Sequence, residues 1–136
     1  MKAFYGIMGA AFIFFEEVKP MKLAHVTVQT CHFDREIRFY REIVGLSIQN
    51  EFTGMGRHIV FLSDGAGSTP IEIIHRPDAD NSGNEHLSLG FHSGDAAALR
   101  ESLLAAGCAP SPMVSPAPGV QFFFVKDPAG VTVQFM

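Results

Sequence analysis

Two short stretches decide how this chain is read: Ala24-His25-Val26-Thr27-Val28 and, 61 residues later, Glu85-His86-Leu87-Ser88-Leu89. Each has a histidine second and then alternates, the signature of a half-buried strand. The echo continues downstream. Val60-Phe61-Leu62-Ser63-Asp64-Gly65-Ala66-Gly67 matches Phe123-Phe124-Val125-Lys126-Asp127-Pro128-Ala129-Gly130 at an offset of 63, and Ile71-Glu72-Ile73 falls opposite Val133-Gln134-Phe135 at 62. The chain therefore reads as a tandem duplication, and with two copies rather than three or more it is a pair of modules and not a solenoid.

Working outward, each copy has the same grammar. In the first, a strand over Leu23 to Gln29 puts His25, Thr27 and Gln29 on one face. A helix carrying Ile37, Tyr40, Ile43 and Val44 ends at Gly45. Strands follow over Leu46 to Thr53, His58 to Ser63 and Ile71 to Arg76, with Gly-rich turns between them. The polar stretch Pro77 to Asn84 reads as a boundary loop. In the second copy a strand over His86 to Phe91 precedes a helix capped by Ser93 or Asp95, running through Leu99 and Leu103 to Gly107. Strands are expected near Ala109 to Val114, Val120 to Lys126 and Val131 to Met136, the first of them shortened or pushed to an edge by Pro110 to Pro118. The fold class is α+β: two βαβββ modules, about 21–76 and 85–136, in a single domain spanning 21–136.

Residues 1–20 form an apolar extension ahead of it. The run Ala3 to Phe15 is too short for a membrane-spanning helix, which needs about 20 residues. A basic Lys2 before an apolar run also resembles the start of a secretory signal, but the run ends in Phe12-Ile13-Phe14-Phe15 and Glu16-Glu17 instead of small residues at a cleavage point. We expect an added strand or helix lying on the domain or across a neighbouring subunit.

Length and composition narrow the function. A chain of 136 residues, 47% hydrophobic and 18% charged, has the material for one core. Its net charge of −4 and the absence of a basic run argue against nucleic acid as a partner. Cys31 and Cys108 stand alone, with no zinc-ribbon or disulfide spacing, as in a protein of a reducing cytoplasm. No membrane partner is expected.

From residue 21 onward the sequence resembles the vicinal oxygen chelate superfamily, which contains glyoxalase I, extradiol dioxygenases, methylmalonyl-CoA epimerase and the bleomycin and fosfomycin resistance proteins. The resemblance rests on Ala24 to Val28, Phe39-Tyr40 followed by Val44-Gly45-Leu46, Ile71-Glu72-Ile73, His86 to Leu89, Leu103 to Gly107, and Asp127-Pro128-Ala129-Gly130 before the last strand. It implies paired modules forming a curved mixed sheet around a divalent metal ion, with one ligand from the first and one from the last strand of each module. Carried onto this chain, the ligands are His25, Glu72, His86 and Gln134. Strand phase agrees for Glu72, His86 and Gln134, each out of step with apolar neighbours. Two imidazoles, a carboxylate and an amide oxygen suit Ni, Zn, Co, Fe or Mn. His32, His58, His75 and His92 read as ordinary polar residues at turns and strand ends.

The resemblance to glyoxalase I (lactoylglutathione lyase) implies a small-molecule substrate, the hemithioacetal of a 2-oxoaldehyde with glutathione or another thiol as cosubstrate. Glu72 would be the catalytic base in an enediolate proton transfer. It also implies a homodimer, with the site often built between subunits. The chain departs from the family pattern at Gln134, where a second carboxylate is usual, and at Gln29, where many glyoxalases have an Arg for the thiol's carboxylate; Arg76 is the candidate to replace it. An extradiol dioxygenase, an acyl-CoA epimerase and a metal-free drug-binding module are the alternatives. In the last of these Phe61, Phe122 and Phe124 would be pocket walls, although as strand residues they are more readily read as core.

Overall fold

The computed structural model describes the backbone of residues 3–8 and 11–15 and all of residues 19–136. In the extension, β1 (Ala3–Met8) and β2 (Ala11–Phe15) pair as an antiparallel hairpin, so the backbone takes the strand form; how its side chains pack lies outside the described residues. The first module comprises β3 (Val26–Thr30), α1 (Phe33–Arg38), β4 (Ser47–Gly54), β5 (Arg57–Ser63) and β6 (Ile71–His75). The second comprises β7 (Ser88–Phe91), α2 (Ala96–Ala105), β8 (Val114–Ala117), β9 (Val120–Lys126) and β10 (Thr132–Phe135). The sheets have one topology, β3-β6-β5-β4 and β7-β10-β9-β8, with the first strand of each module parallel to its last and the other pairings antiparallel. Two four-stranded mixed sheets with two helices are the βαβββ duplication that the repeats imply.

Local chemistry explains the element ends. The Asp95 side chain accepts a hydrogen bond from the Ala98 N–H at 3.0 Å and starts α2, and Gly107, at φ +84°, turns the chain out of it. The last turn after α1 widens over Phe39–Ile43, with Val44 N–H bonding back to Phe39 O, before Gly45 at φ +85° ends it. The second module's edge strand lies later than expected, at Val114–Ala117, because Pro110 and Pro112 have no N–H for a ladder; only Ser111 is stitched to Phe124 in that stretch, by N–H to O (2.8 Å) and through its hydroxyl (2.9 Å). Among the described residues no helix is long and apolar enough to cross a membrane.

One core serves both modules. It joins Val28, Val60, Leu62, Ile71 and Ile73 of the first sheet, Phe33, Phe39 and Tyr40 of α1 and its extension, and Phe123, Val125, Val131, Val133 and Phe135 of the second. Within it lies a polar knot. The fully buried Tyr40 hydroxyl donates to Asp127 Oδ2 at 2.7 Å, while Asp127 Oδ1 accepts the N–H groups of Ala129 and Val131 at 2.9 Å each. These bonds fix the turn leading into β10, where Gly130 adopts φ +87° and a Cβ would come within 3.2 Å of Asn81. Asn84 reaches the same turn, donating from Nδ2 to Ala129 O at 2.7 Å, and so moors the linker between the modules.

Glu36 on α1 is fully buried beside this knot, and neither of its carboxyl oxygens makes a hydrogen bond. Burial first, and then the Asp127 charge, push its pKa up to about 9, so it is a neutral acid at pH 7. The same causes, burial and Asp127, drive Tyr40 far above the usual phenol range.

Two outcomes are expected. Tyr40→Phe leaves a buried Asp127 oxygen without its donor and should cost about 1–3 kcal/mol in urea unfolding. Unfolded Glu36 ionises near 4.5 and folded Glu36 near 9, so between these values folding takes up a proton and stability falls as pH rises. The urea midpoint should therefore decline from about pH 5 to about pH 9, and Glu36→Gln should flatten that decline; equal slopes in the two proteins would mean that Glu36 is ionised in the fold.

Candidate functional site

The face of each sheet opposite the core carries the candidate residues. On the first sheet, register aligns Thr27 of β3, Glu72 of β6 and Phe61 of β5 in one row. His25 stands just ahead of β3, which begins at Val26, three residues later than the alternation predicts, where Val26 N–H bonds to Pro70 O. Its Nε2 lies 3.5 Å from Glu72 Oε1, and the Thr27 hydroxyl donates to the same oxygen at 2.5 Å. Glu72 is largely shielded, with its side chain 13% exposed, whereas His25 is 43% exposed.

An apolar wall adjoins this pair. The Phe61 ring meets His25 edge-on at 5.7 Å between centroids and stacks with Phe52 at 6.1 Å. Ile59, buried but outside the common core, pairs with Ile74 in the same sheet. Phe61, Phe122 and Phe124 are thus half-buried on the open faces and are not core; the residue that enters the core is Phe123, in opposite phase to its two neighbours. Phe52 and Thr27 are site residues that sequence reasoning did not single out. Thr27 left a signal, since it shares a strand face with His25.

The second sheet does not mirror the first. Gln134 lies on β10 opposite Gly90 of β7 and Phe124 of β9. His86 is not in a strand but in a short helical turn, Asn84–His86, ahead of β7, and its side chain is 83% exposed with Glu85 at 3.6 Å. The register gives the reason. His25 precedes the partner of Glu72 by two residues, but His86 precedes Gly90, the partner of Gln134, by four. At about 3.3 Å per residue that is ~7 Å against ~13 Å along the strand. The position equivalent to His25 is occupied by Ser88. The structure therefore brings His25 and Glu72 together, and within one chain does not bring His86 or Gln134 to them; no cluster of three or more metal-binding side chains exists among the described residues.

Beside Thr27 a cleft of about 480 Å³ runs between the modules, lined also by Gln29, Arg76, Asp78, Asp80 and Asn84. Arg76 bonds Gln29 Oε1 and Asp78 Oδ1, each at 3.3 Å, so its guanidinium bridges the end of β3 and the linker. Asp80 is held below the usual carboxylate range by the hydroxyl and backbone N–H of Ser82. The remaining histidines lie elsewhere: His58 bonds Glu51 at 2.6 Å and, with His75, flanks the Phe33 ring.

The family model for the Glyoxalase/Bleomycin resistance protein/Dioxygenase superfamily matches residues 22–135. The chain belongs to this superfamily. No curated protein sequence matches it. Among solved structures it is similar to the trypanothione-dependent glyoxalase I of Leishmania major, with TM-score 0.70 and 19% identity over 86% of both chains. It is also similar to a lactoylglutathione lyase from Agrobacterium tumefaciens, with TM-score 0.62 and 19% identity over 85% of this chain and 92% of that one. A third is an antibiotic-binding protein from a Streptomyces species, with TM-score 0.67 and 16% identity over 88% of this chain and 97% of that one. At these identities the likeness is one of fold. The superfamily fold thus hosts both enzymes and binding proteins, so function has to be argued from the site and not from the fold.

The two aromatic sets should separate in stability measurements. Phe123→Ala, in the core, should cost about 3–5 kcal/mol, and Phe61→Ala, on the open face, markedly less, by urea unfolding of both variants.

Proposed function

We propose that this superfamily member is a glyoxalase I-like enzyme that moves a proton between neighbouring carbons of a small 2-oxoaldehyde–thiol hemithioacetal, working as a homodimer in the cytoplasm. The observation that carries the reading is the His25–Glu72 pair, an imidazole nitrogen and a carboxylate oxygen 3.5 Å apart, the oxygen bonded to Thr27, which itself lines an open cleft. That separation fits two donors to one divalent cation, whose ligand bonds are about 2.0–2.2 Å. The His86–Gln134 pair does not fit it as folded. His25 and Glu72 would hold the ion, which would supply polarisation of two adjacent substrate oxygens. Glu72 takes the proton and returns it, because Gln134 has none to exchange. Arg76, paired with Gln29 in the adjoining cleft, has the charge to receive a carboxylate on the thiol cosubstrate.

A second reading, a metal-free small-molecule binder, is favoured by one observation: the half-site on the second sheet, Ser88 and Gln134, is neutral and holds no imidazole. The stacked Phe52 and Phe61 would then be its chief surface.

Calorimetric titration of the purified protein with Ni²⁺ or Zn²⁺ separates the two. The enzyme reading expects a cation to bind, binding to be lost in His25→Ala, and binding to survive in His86→Ala. Glu72→Gln should lower turnover of the methylglyoxal–glutathione hemithioacetal by about 10²-fold or more. A wild-type protein that takes up neither ion and turns nothing over would leave the binder.

A further inference from the structure

We propose that Thr27 is the positioning residue for Glu72: its hydroxyl ties down Oε1 and leaves Oε2 as the atom that exchanges the proton. This rests on the reading of Glu72 as the base. Thr27 and Glu72 are register partners on adjacent parallel strands, so the 2.5 Å bond joins side chains whose backbones are themselves laddered together. A bond to a carboxylate is charge-assisted and stronger than one between neutral groups. A threonine in a strand is also stiff about χ1, so the donor does not wander. His25 Nε2 approaches the same oxygen, Oε1. Among the described residues no hydrogen bond reaches Oε2, and the neighbour of Glu72 on the other side of the row is the apolar Phe61. The carboxylate is thus held by one oxygen from one side, with the other oxygen free.

The second module has no such device. The register partner of Gln134 is Gly90, which has no side chain with which to donate. Held and unheld side chains therefore coincide with ionisable and neutral ones, the pattern expected where only one side chain must be aimed.

Thr27→Val keeps the branched shape and removes the donor, and Thr27→Ser restores the donor with less bulk. In metal-free protein, three-bond NMR couplings across χ1 and χ2 of Glu72 should report one rotamer in wild type and Thr27→Ser, and averaging in Thr27→Val. With the methylglyoxal–glutathione hemithioacetal, Thr27→Val should lower kcat about tenfold at unchanged KM, since misplacement of a reacting group acts on the chemical step; Thr27→Ser should recover most of it. A single Glu72 rotamer in Thr27→Val overturns the proposal. So does full kcat in Thr27→Val when wild type is active and Glu72→Gln is not. If wild type is inactive while Thr27→Val frees the Glu72 side chain, the positioning holds and it is the base reading that fails.

Discussion

The fold turns on one buried carboxylate. Asp127 collects the Tyr40 hydroxyl from the first module and two backbone N–H groups from its own turn, and through that turn it sets where β10 begins. A buried carboxyl group is costly unless its oxygens find donors, and three donors reach them here. Glu36, next to it, contributes the opposite way: it gains no hydrogen bond and stays in the core by keeping its proton. The modules are thus joined by an arrangement in which one carboxyl group is filled with donors and the other keeps its proton. That junction also anchors the linker at Asn84, so the approach to β7 and the approach to β10 are set by the same few bonds.

The site depends on something subtler, the register between the first and last strand of each module. The core faces of the two sheets are alike, because β6 with Ile71 and Ile73 and β10 with Val133 and Phe135 bury alternate residues in the same way, while the edge strands β4 and β8 bury none. The open faces are not alike. In the first module register and residue identity coincide, and an imidazole, a hydroxyl and a carboxylate meet. In the second the ladder is offset by two residues from what the repeated residues imply, so the matching histidine falls in a turn at the surface. Chemistry that needs several groups at one point is therefore concentrated on the first sheet.

Most of the architecture could be read from alternation, helix caps and the internal repeat. Gly45, Gly107 and Asp95 marked element ends because their physical roles are local. What could not be read depends on pairing between distant strands. The phase of His86 against Leu87 and Leu89 says which face a strand residue would take, but nothing about whether the ladder extends back to it. A run such as Phe122-Phe123-Phe124 hides its own phase, since all three residues are equally apolar, and so its middle member is core while the outer two are not. Glu36 was hidden for another reason: a charged residue on a short helix ordinarily faces water, and only packing in three dimensions buries it, beside Asp127, and keeps it neutral.

The two-residue offset also bears on how a duplicated domain diverges. A slip of one residue would turn every side chain of β7 to the opposite face and expose the core, but a slip of two returns each side chain to its own face. Such a change is nearly silent for folding and yet moves a would-be ligand by a strand repeat. Once one copy carries the reactive pair, the other is free to drift in steps of two, exchanging ligands for hydrogen-bonding or apolar groups. A ladder displaced in steps of two therefore changes which side chains meet on the open face without changing which ones are buried.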